Sequence, residues 1–153
     1  AEKTVYISTP YLIPSYNLLE TIRTAALKGV DVRIIVPGIP DKKIIYLMTK
    51  SNFKNLFNAG VKIYYYTPGF NHAKSILVDN QLAFVGTVNI DFRSLVHHYE
   101  DGVILYKNSC LQDISNDFNS MLNESKQVTK ENFKFSYLSR LFCSILKLFS
   151  PLL

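Results

Sequence analysis

Short apolar runs alternating with helix-period segments constrain this chain more than any other feature. Runs rich in β-branched and aromatic residues occupy positions 5–8, 32–36 and 62–66, and the stretches between them, 16–28 and 42–58, read as helices. In the first helix Leu18, Leu19, Ile22, Ala25 and Ala26 recur at helical spacing, and Gly29 stands where a helix commonly closes. Strands alternating with helices predict the α/β class: a layered, mixed or mostly parallel sheet flanked by helices. A further strand is expected at 102–106, followed by a helix near 110–125. The chain has 153 residues, 48% of them apolar, enough for one core of ordinary size. No low-complexity tract, linker or repeat interrupts it. We divide it into a domain at 1–127 and an amphipathic C-terminal helical tail at 128–153.

After the third strand the pattern changes. Ile76, Leu77 and Val78 form a buried-strand run, Asp79 and Asn80 supply turn chemistry, and Leu82 to Val85 return, so the segment reads as a hairpin. A strand that already includes His72 points His72 and Lys74 to one face, and the hairpin carries Thr87 and Asn89 back beside them. An imidazole, an ammonium, a hydroxyl and an amide can surround one phosphate with a nucleophile and fixed donors. Gly86 is expected to let backbone approach the bound group. Asp79 is either a hairpin-end carboxylate or a site residue. Glu100 either orients an imidazole or pairs with an arginine such as Arg93. His97 and His98 are expected at a partly exposed sheet edge. Cys110 and Cys143 are far apart and show no ligand spacing with any histidine, so no zinc site is expected.

The spacing H-x-K-x4-D-x6-G-[ST]-x-N, carried by His72, Lys74, Asp79, Gly86, Thr87 and Asn89, resembles the HKD motif of the phospholipase D superfamily. Thr87 stands where serine is usual, and Glu100 falls where many members carry a carboxylate that orients the catalytic imidazole. Residues 9–14, 29–38, 59–64 and 89–94, and the closing Ser150-Pro151-Leu152-Leu153, are similar to the C-terminal half of bacterial cardiolipin synthases. The resemblance implies a phosphatidyltransferase that works through a phosphohistidine and needs neither metal nor cofactor. It moves a phosphatidyl group from one phosphatidylglycerol to the terminal hydroxyl of another and releases glycerol. The catalytic set it implies is His72, Lys74, Asp79 and Glu100, with Lys74, Thr87 and Asn89 binding phosphate. The position of His72 in a second motif implies the general-acid role.

That chemistry needs two imidazoles on opposite sides of phosphorus, and this chain has one H-x-K. The expected partner is a missing N-terminal HKD half or a second copy of the chain, and an isolated half is expected to be inactive. A first strand so close to Ala1 favours a fragment. The rival readings are a homodimeric phospholipase D-type phosphodiesterase or nuclease that uses water as acceptor, and an inactive lipid-binding fragment.

A formal net charge of +5 suggests an anionic partner. Nucleic acid and an acidic lipid surface both attract lysines, and these are scattered singly, with Lys42-Lys43 the only adjacent basic pair, as on a generally solvated surface. The resemblance, not the charge, implies an anionic phospholipid and a membrane surface as partners rather than nucleic acid. The Tyr64-Tyr65-Tyr66 cluster is expected to be core in part, with Phe70 and one tyrosine as candidates for the substrate entrance. In the tail, Leu138, Leu141, Phe142, Ile145, Leu148 and Phe149 form an apolar face flanked by Arg140 and Lys147. It is shorter than the roughly 20 apolar residues a membrane span requires. It either lies in a membrane surface or packs onto the domain or its missing half. Two cysteines without framework spacing fit the reducing, cytoplasmic face of the cell membrane.

Overall fold

The computed structural model describes residues 1–133 and 137–148. The first half contains β1 (Thr4–Ser8), a short β2 (Leu12–Ile13), α1 (Tyr16–Leu27), β3 (Asp31–Pro37), α2 (Lys43–Asn58) and β4 (Lys62–Tyr66). The second continues with β5 (Ser75–Val78), β6 (Leu82–Gly86), β7 (Ile90–Asp91), α3 (Phe92–Val96) and β8 (Gly102–Tyr106). Then follow α4 (Cys110–Asn123), β9 (Ser125–Gln127), a 3-10 turn (Lys130–Phe133) and α5 (Tyr137–Leu148). Seven strands form one sheet in the order β8-β6-β5-β1-β3-β4-β9. The β1, β3 and β4 strands run parallel, and the outer strands pair antiparallel. The sheet is mixed and flanked by helices, as the sequence pattern predicts.

Both crossover helices end in the same way. Gly29 and Gly60 have φ +93, and the next residues, Val30 and Val61, donate N–H bonds back to the Ala25 and Leu56 carbonyls. This is the Schellman closure, and it turns buried Val30 and Val61 towards the following strands. Alternation along the strands then sorts two cores. Val32, Ile34 and Val36 of β3 pack with Ile22 of α1 and Phe53 and Leu56 of α2 on one face. Ile35 and Leu77 pack with Leu111, Phe118 and Met121 of α4 on the other. The tyrosine cluster divides likewise: Tyr65 meets Phe53 at 5.8 Å between ring centroids, whereas Tyr64 and Tyr66 join the α4 side.

A second, two-stranded sheet places the loops that follow β1 and β6 side by side, pairing Leu12 with Ile90 and Ile13 with Asp91. It is held by side chains rather than by strand propensity. Thr49 Oγ1 accepts from the Leu12 N–H at 3.2 Å, and Asn52 Nδ2 donates to the Leu12 carbonyl at 3.0 Å, both in buried surroundings. Thr9 Oγ1 accepts from the Ile90 N–H at 3.1 Å and donates to the Tyr11 carbonyl at 2.8 Å.

The α5 helix contacts α2. Cys143 is buried, while Leu138, Leu141, Phe142 and Ile145 are exposed. The side chains of Arg140, Lys147 and Leu148, and all of residues 149–153, lie outside the described residues. Among the described residues no helix is long and apolar enough to cross a membrane.

Candidate active site

The β5 strand begins at Ser75, so His72 and Lys74 do not share a strand face as their spacing suggests. Two physical causes shorten the strand. On one side β1 ends at Ser8, the partner of Ser75, and leaves residues 72–74 without a ladder neighbour there. Asn71 also competes for the backbone: its Oδ1 accepts from the Ala73 N–H at 2.9 Å, an Asx turn. Its Nδ2 donates to Ser8 Oγ and Met121 Sδ, each at 3.2 Å, anchoring the segment to β1 and α4. Lys74 folds back, and its Nζ donates to the His72 carbonyl at 2.6 Å. The Phe70 ring lies 5.5 Å from the imidazole, centroid to centroid.

His72 is exposed, and the partial desolvation it feels, then the Lys74 ammonium, hold its pKa below the ordinary value, with Asp41 opposing them. The imidazole is therefore neutral at pH 7, with a nitrogen lone pair available. Burial also lowers the Lys74 pKa, against the pull of the Glu100 carboxylate. The ammonium of one loop and the carboxylate of the next thus act on the same space.

Gly86 explains how Glu100 arrives there. A Cβ at Gly86 would lie 2.4 Å from the Asp101 carbonyl oxygen and 2.7 Å from Gly102 Cα. The close neighbour is the β8 backbone, with Gly102 as ladder partner, where the sequence suggested a bound group. On its other side the Gly86 N–H donates to the Lys74 carbonyl at 3.1 Å. Thr87 follows directly: its N–H donates to the Asp101 carbonyl at 2.8 Å, and its hydroxyl donates to Glu100. The Thr87 hydrogen bond, with others from Ser94 and His98, holds the Glu100 pKa below the ordinary carboxylate value.

Arg93 does not take Glu100 as its partner. Its Nε donates to His98 Nε2 at 2.9 Å, while His98 Nδ1 faces Glu100 at 3.5 Å. His97 and His98 are exposed at the end of α3, not at a sheet edge. The cause is Asp91, which accepts from the Ser94 N–H at 2.7 Å and starts a helical turn. Asn89 Nδ2 donates to Ser94 Oγ at 3.2 Å, and Asn89 Oδ1 is buried without a partner.

The structure therefore links His72, Lys74, Thr87, Asn89 and Glu100 into one cluster, and it leaves Asp79 outside. Asp79 lies at the opposite end of β5, roughly 16 Å along the strand from Lys74. Its carboxylate accepts the Glu2, Lys3 and Thr4 N–H groups at 2.8, 2.8 and 2.7 Å. Asp79 and Asn80, both at φ +52, form the tight turn, with the Gln81 N–H donating to the Val78 carbonyl at 2.9 Å. Of its two possible roles, this geometry is that of the hairpin end. Asn71 and Ser94 are the cluster members that sequence reasoning missed; Asn71-x-Ala73 and Asp91-x-x-Ser94 carried Asx-turn and cap signals that could have found them. Among the described residues no group of His, Cys, Asp and Glu side chains could hold a metal ion. A cavity of about 710 Å³ opens beside the cluster, lined in part by Asn89, Ser94, His98, Tyr11 and Ile13.

This sheet and its helices are the phospholipase D-like fold. The chain superimposes with a TM-score of 0.74 on phosphatidylserine synthase from Haemophilus influenzae, at 21% identity over 99% of this chain and 42% of that one. For Nuc, a phospholipase D family member from Salmonella typhimurium, the TM-score is 0.72 at 16% identity, over 85% of this chain and 84% of that one. At such identities the likeness is one of fold. Residues 1–122 match the family described as cardiolipin synthase, PLD-like domain, and the chain belongs to that family. A cardiolipin synthase of Clostridium perfringens strain SM101 is 43% identical over 154 aligned positions, which cover 100% of this chain and 32% of the synthase. The chain spans about a third of the length of the curated relatives it matches.

Proposed function

We propose that this chain is the second HKD half of a phosphatidyltransferase of the cardiolipin synthase type, acting on phosphatidylglycerol. The observation that carries the reading is the convergence of a neutral His72, the Lys74 ammonium and the Thr87-bound Glu100 in a chain of this family. His72 and an imidazole of a companion half then stand on either side of one phosphorus. One imidazole attacks, forming a P–N bond as the P–O bond to glycerol breaks, and the other gives its proton to the departing alkoxide. The terminal hydroxyl of a second phosphatidylglycerol reverses this: a P–O bond forms, the P–N bond breaks, and the hydroxyl proton returns to the second imidazole. Lys74 and the Asn89 N–H not given to Ser94 take the phosphoryl oxygens, with Thr87 assisting through Glu100.

Glu100 is bonded to Thr87 and faces His98, so the catalytic imidazole it orients is the companion's. By the same symmetry a companion carboxylate raises the His72 pKa whenever His72 serves as general acid. Asp79 serves the hairpin and not the chemistry. The exposed Leu138, Leu141, Phe142 and Ile145 of α5 support work at the membrane surface, and the cysteine pattern supports its cytoplasmic face. Phe70, exposed beside His72, borders the entrance.

The test is to give a complete synthase containing this chain labelled phosphatidylglycerol and, separately, DNA. Cardiolipin with matching glycerol release is expected, and the chain alone is expected to turn over neither. Nucleotide release without cardiolipin overturns the reading. Turnover by a dimer of this chain alone would make a second copy the companion.

A further inference from the structure

The Lys42-Lys43 pair has no part in the cluster around His72, yet it lines the adjoining cavity of about 710 Å³. Both lysines are exposed, and neither forms an ion pair among the described residues. Their position at the start of α2 is electrostatically unfavourable, because a helix N-terminus already carries partial positive charge. The first turn of α2 holds no acid, and Lys42 gives no side-chain cap. Asp41 forms no ion pair with either lysine: its oxygens accept the Tyr11 hydroxyl at 2.5 Å and the Lys42 backbone N–H at 2.7 Å, and its one negative charge offsets only part of theirs. Lys42 Nζ stands 5.8 Å from the ring centroid of Tyr11, another residue lining the cavity.

The rest of the cavity is mixed in a useful way. Ile13, Ile44 and Ile45 give it an apolar side. Asn89 also lines it and joins it to the phosphate-binding cluster. Asp91 also lines it and keeps its negative charge while accepting the Ser94 N–H, but Lys42, Lys43 and Arg93 outnumber it. The ligand that matches is an anionic amphiphile bearing a hydroxyl: an anion at the lysines, chains along the isoleucines and the hydroxyl beside Asn89.

We propose that this cavity is the acceptor subsite, in which Lys42 and Lys43 hold the non-reacting phosphate of the second lipid while its terminal hydroxyl reaches the phosphohistidine. This rests on the transferase reading above and adds the feature that selects a lipid alcohol over water. In phosphatidylglycerol five bonds, roughly 6 Å, separate the terminal hydroxyl oxygen from its own phosphorus. The attacking hydroxyl forms the new P–O bond, the P–N bond breaks, and the proton passes to the opposing imidazole. Water entering instead gives phosphatidate.

The experiment uses the complete synthase with Lys42→Ala and Lys43→Ala together, supplied with phosphatidylglycerol vesicles, and reads glycerol, cardiolipin and phosphatidate. The ratio of cardiolipin to phosphatidate is expected to fall about tenfold, and Lys42→Arg with Lys43→Arg is expected to retain it. Added glycerol 3-phosphate shares the anion without the chains, and glycerol lacks both. Transfer to labelled glycerol, read as label entering phosphatidylglycerol, is expected to be unaffected by the substitution. More efficient transfer to glycerol 3-phosphate than to phosphatidylglycerol would assign the subsite to a soluble phosphate and overturn the lipid acceptor. An unchanged ratio, or an equal fall with glycerol as acceptor, overturns the inference while glycerol release continues. Wild-type enzyme that releases no glycerol overturns the transferase reading itself and this inference with it.

Discussion

Replacing Asp79 separates scaffold from chemistry. Its carboxylate ties the Glu2, Lys3 and Thr4 N–H groups to the β5–β6 hairpin at 2.8, 2.8 and 2.7 Å. A hydrogen bond to a charged acceptor contributes about 1.5–3 kcal/mol, but the Glu2 and Lys3 bonds are exposed and count for much less. Taking about 1.5 kcal/mol for the part-buried Thr4 bond and about 0.5 for each exposed one gives roughly 2.5 kcal/mol for Asp79→Ala. The left-handed φ of +52 adds a penalty for alanine, up to about 1 kcal/mol. Asparagine tolerates that backbone and keeps one acceptor, so Asp79→Asn costs roughly 1–1.5 kcal/mol.

The three N–H bonds also hold the folded Asp79 pKa below its ordinary value. The contribution is therefore fully present above the unfolded carboxylate value of about 3.9 and is lost as pH falls through the lower folded value. Urea denaturation at several pH values measures it. The gap between wild type and Asp79→Asn is expected to be flat from about pH 5 to 8 and to close below about pH 4. In the complete synthase, turnover of Asp79→Asn at low temperature is expected to stay within about twofold of wild type. A variant with wild-type stability that loses turnover about a hundredfold would refute the structural role and return Asp79 to the chemistry.

Further predictions concern the site itself. Gly86→Ala forces a Cβ to 2.4 Å from the Asp101 carbonyl and 2.7 Å from Gly102 Cα at the start of β8, so β6 and β8 must part at a cost of at least about 2 kcal/mol; an unchanged melting temperature contradicts this. By NMR the His72 imidazole is expected to titrate below its ordinary value, and Lys74→Met should move that midpoint up but not past about 6.5, because the partial desolvation persists. A fixed midpoint in that variant rules out Lys74 as a contributor. In the complete synthase Glu100→Gln is expected to lower kcat by about 10² or more and to flatten one limb of the pH–rate profile; loss of kcat with the profile unchanged argues for a scaffold role.

The sequence exposes those parts of this fold in which local pattern and tertiary packing agree. Gly29 at the end of α1, the alternation through Tyr64-Tyr65-Tyr66, and the Asp79-Asn80 turn all follow from rules acting within a few residues. The β2–β7 pair does not: Leu12 is extended because Thr49 and Asn52, far along the chain, satisfy its backbone. The start of β5 is also hidden, because it depends on where β1 runs out and on Asn71 turning back to Ala73. Overlooking the Asp91-capped turn of α3 moved His97 and His98 to an imagined sheet edge. The motif groups His72, Lys74, Thr87, Asn89 and Glu100, which the fold carries on adjoining loops. It did not separate them from Asp79, whose partners are backbone groups some 75 residues away in sequence, nor Gly86 from the strand contact it serves.

The central claim is that His72 is one of two imidazoles that share a phosphorus. Cardiolipin formation from labelled phosphatidylglycerol by a complete synthase carrying His72→Ala, shown to be folded by its unfolding transition, tests this most directly. The predicted result is a loss of at least about 10³-fold with the companion half intact. Turnover within about tenfold of wild type contradicts the account.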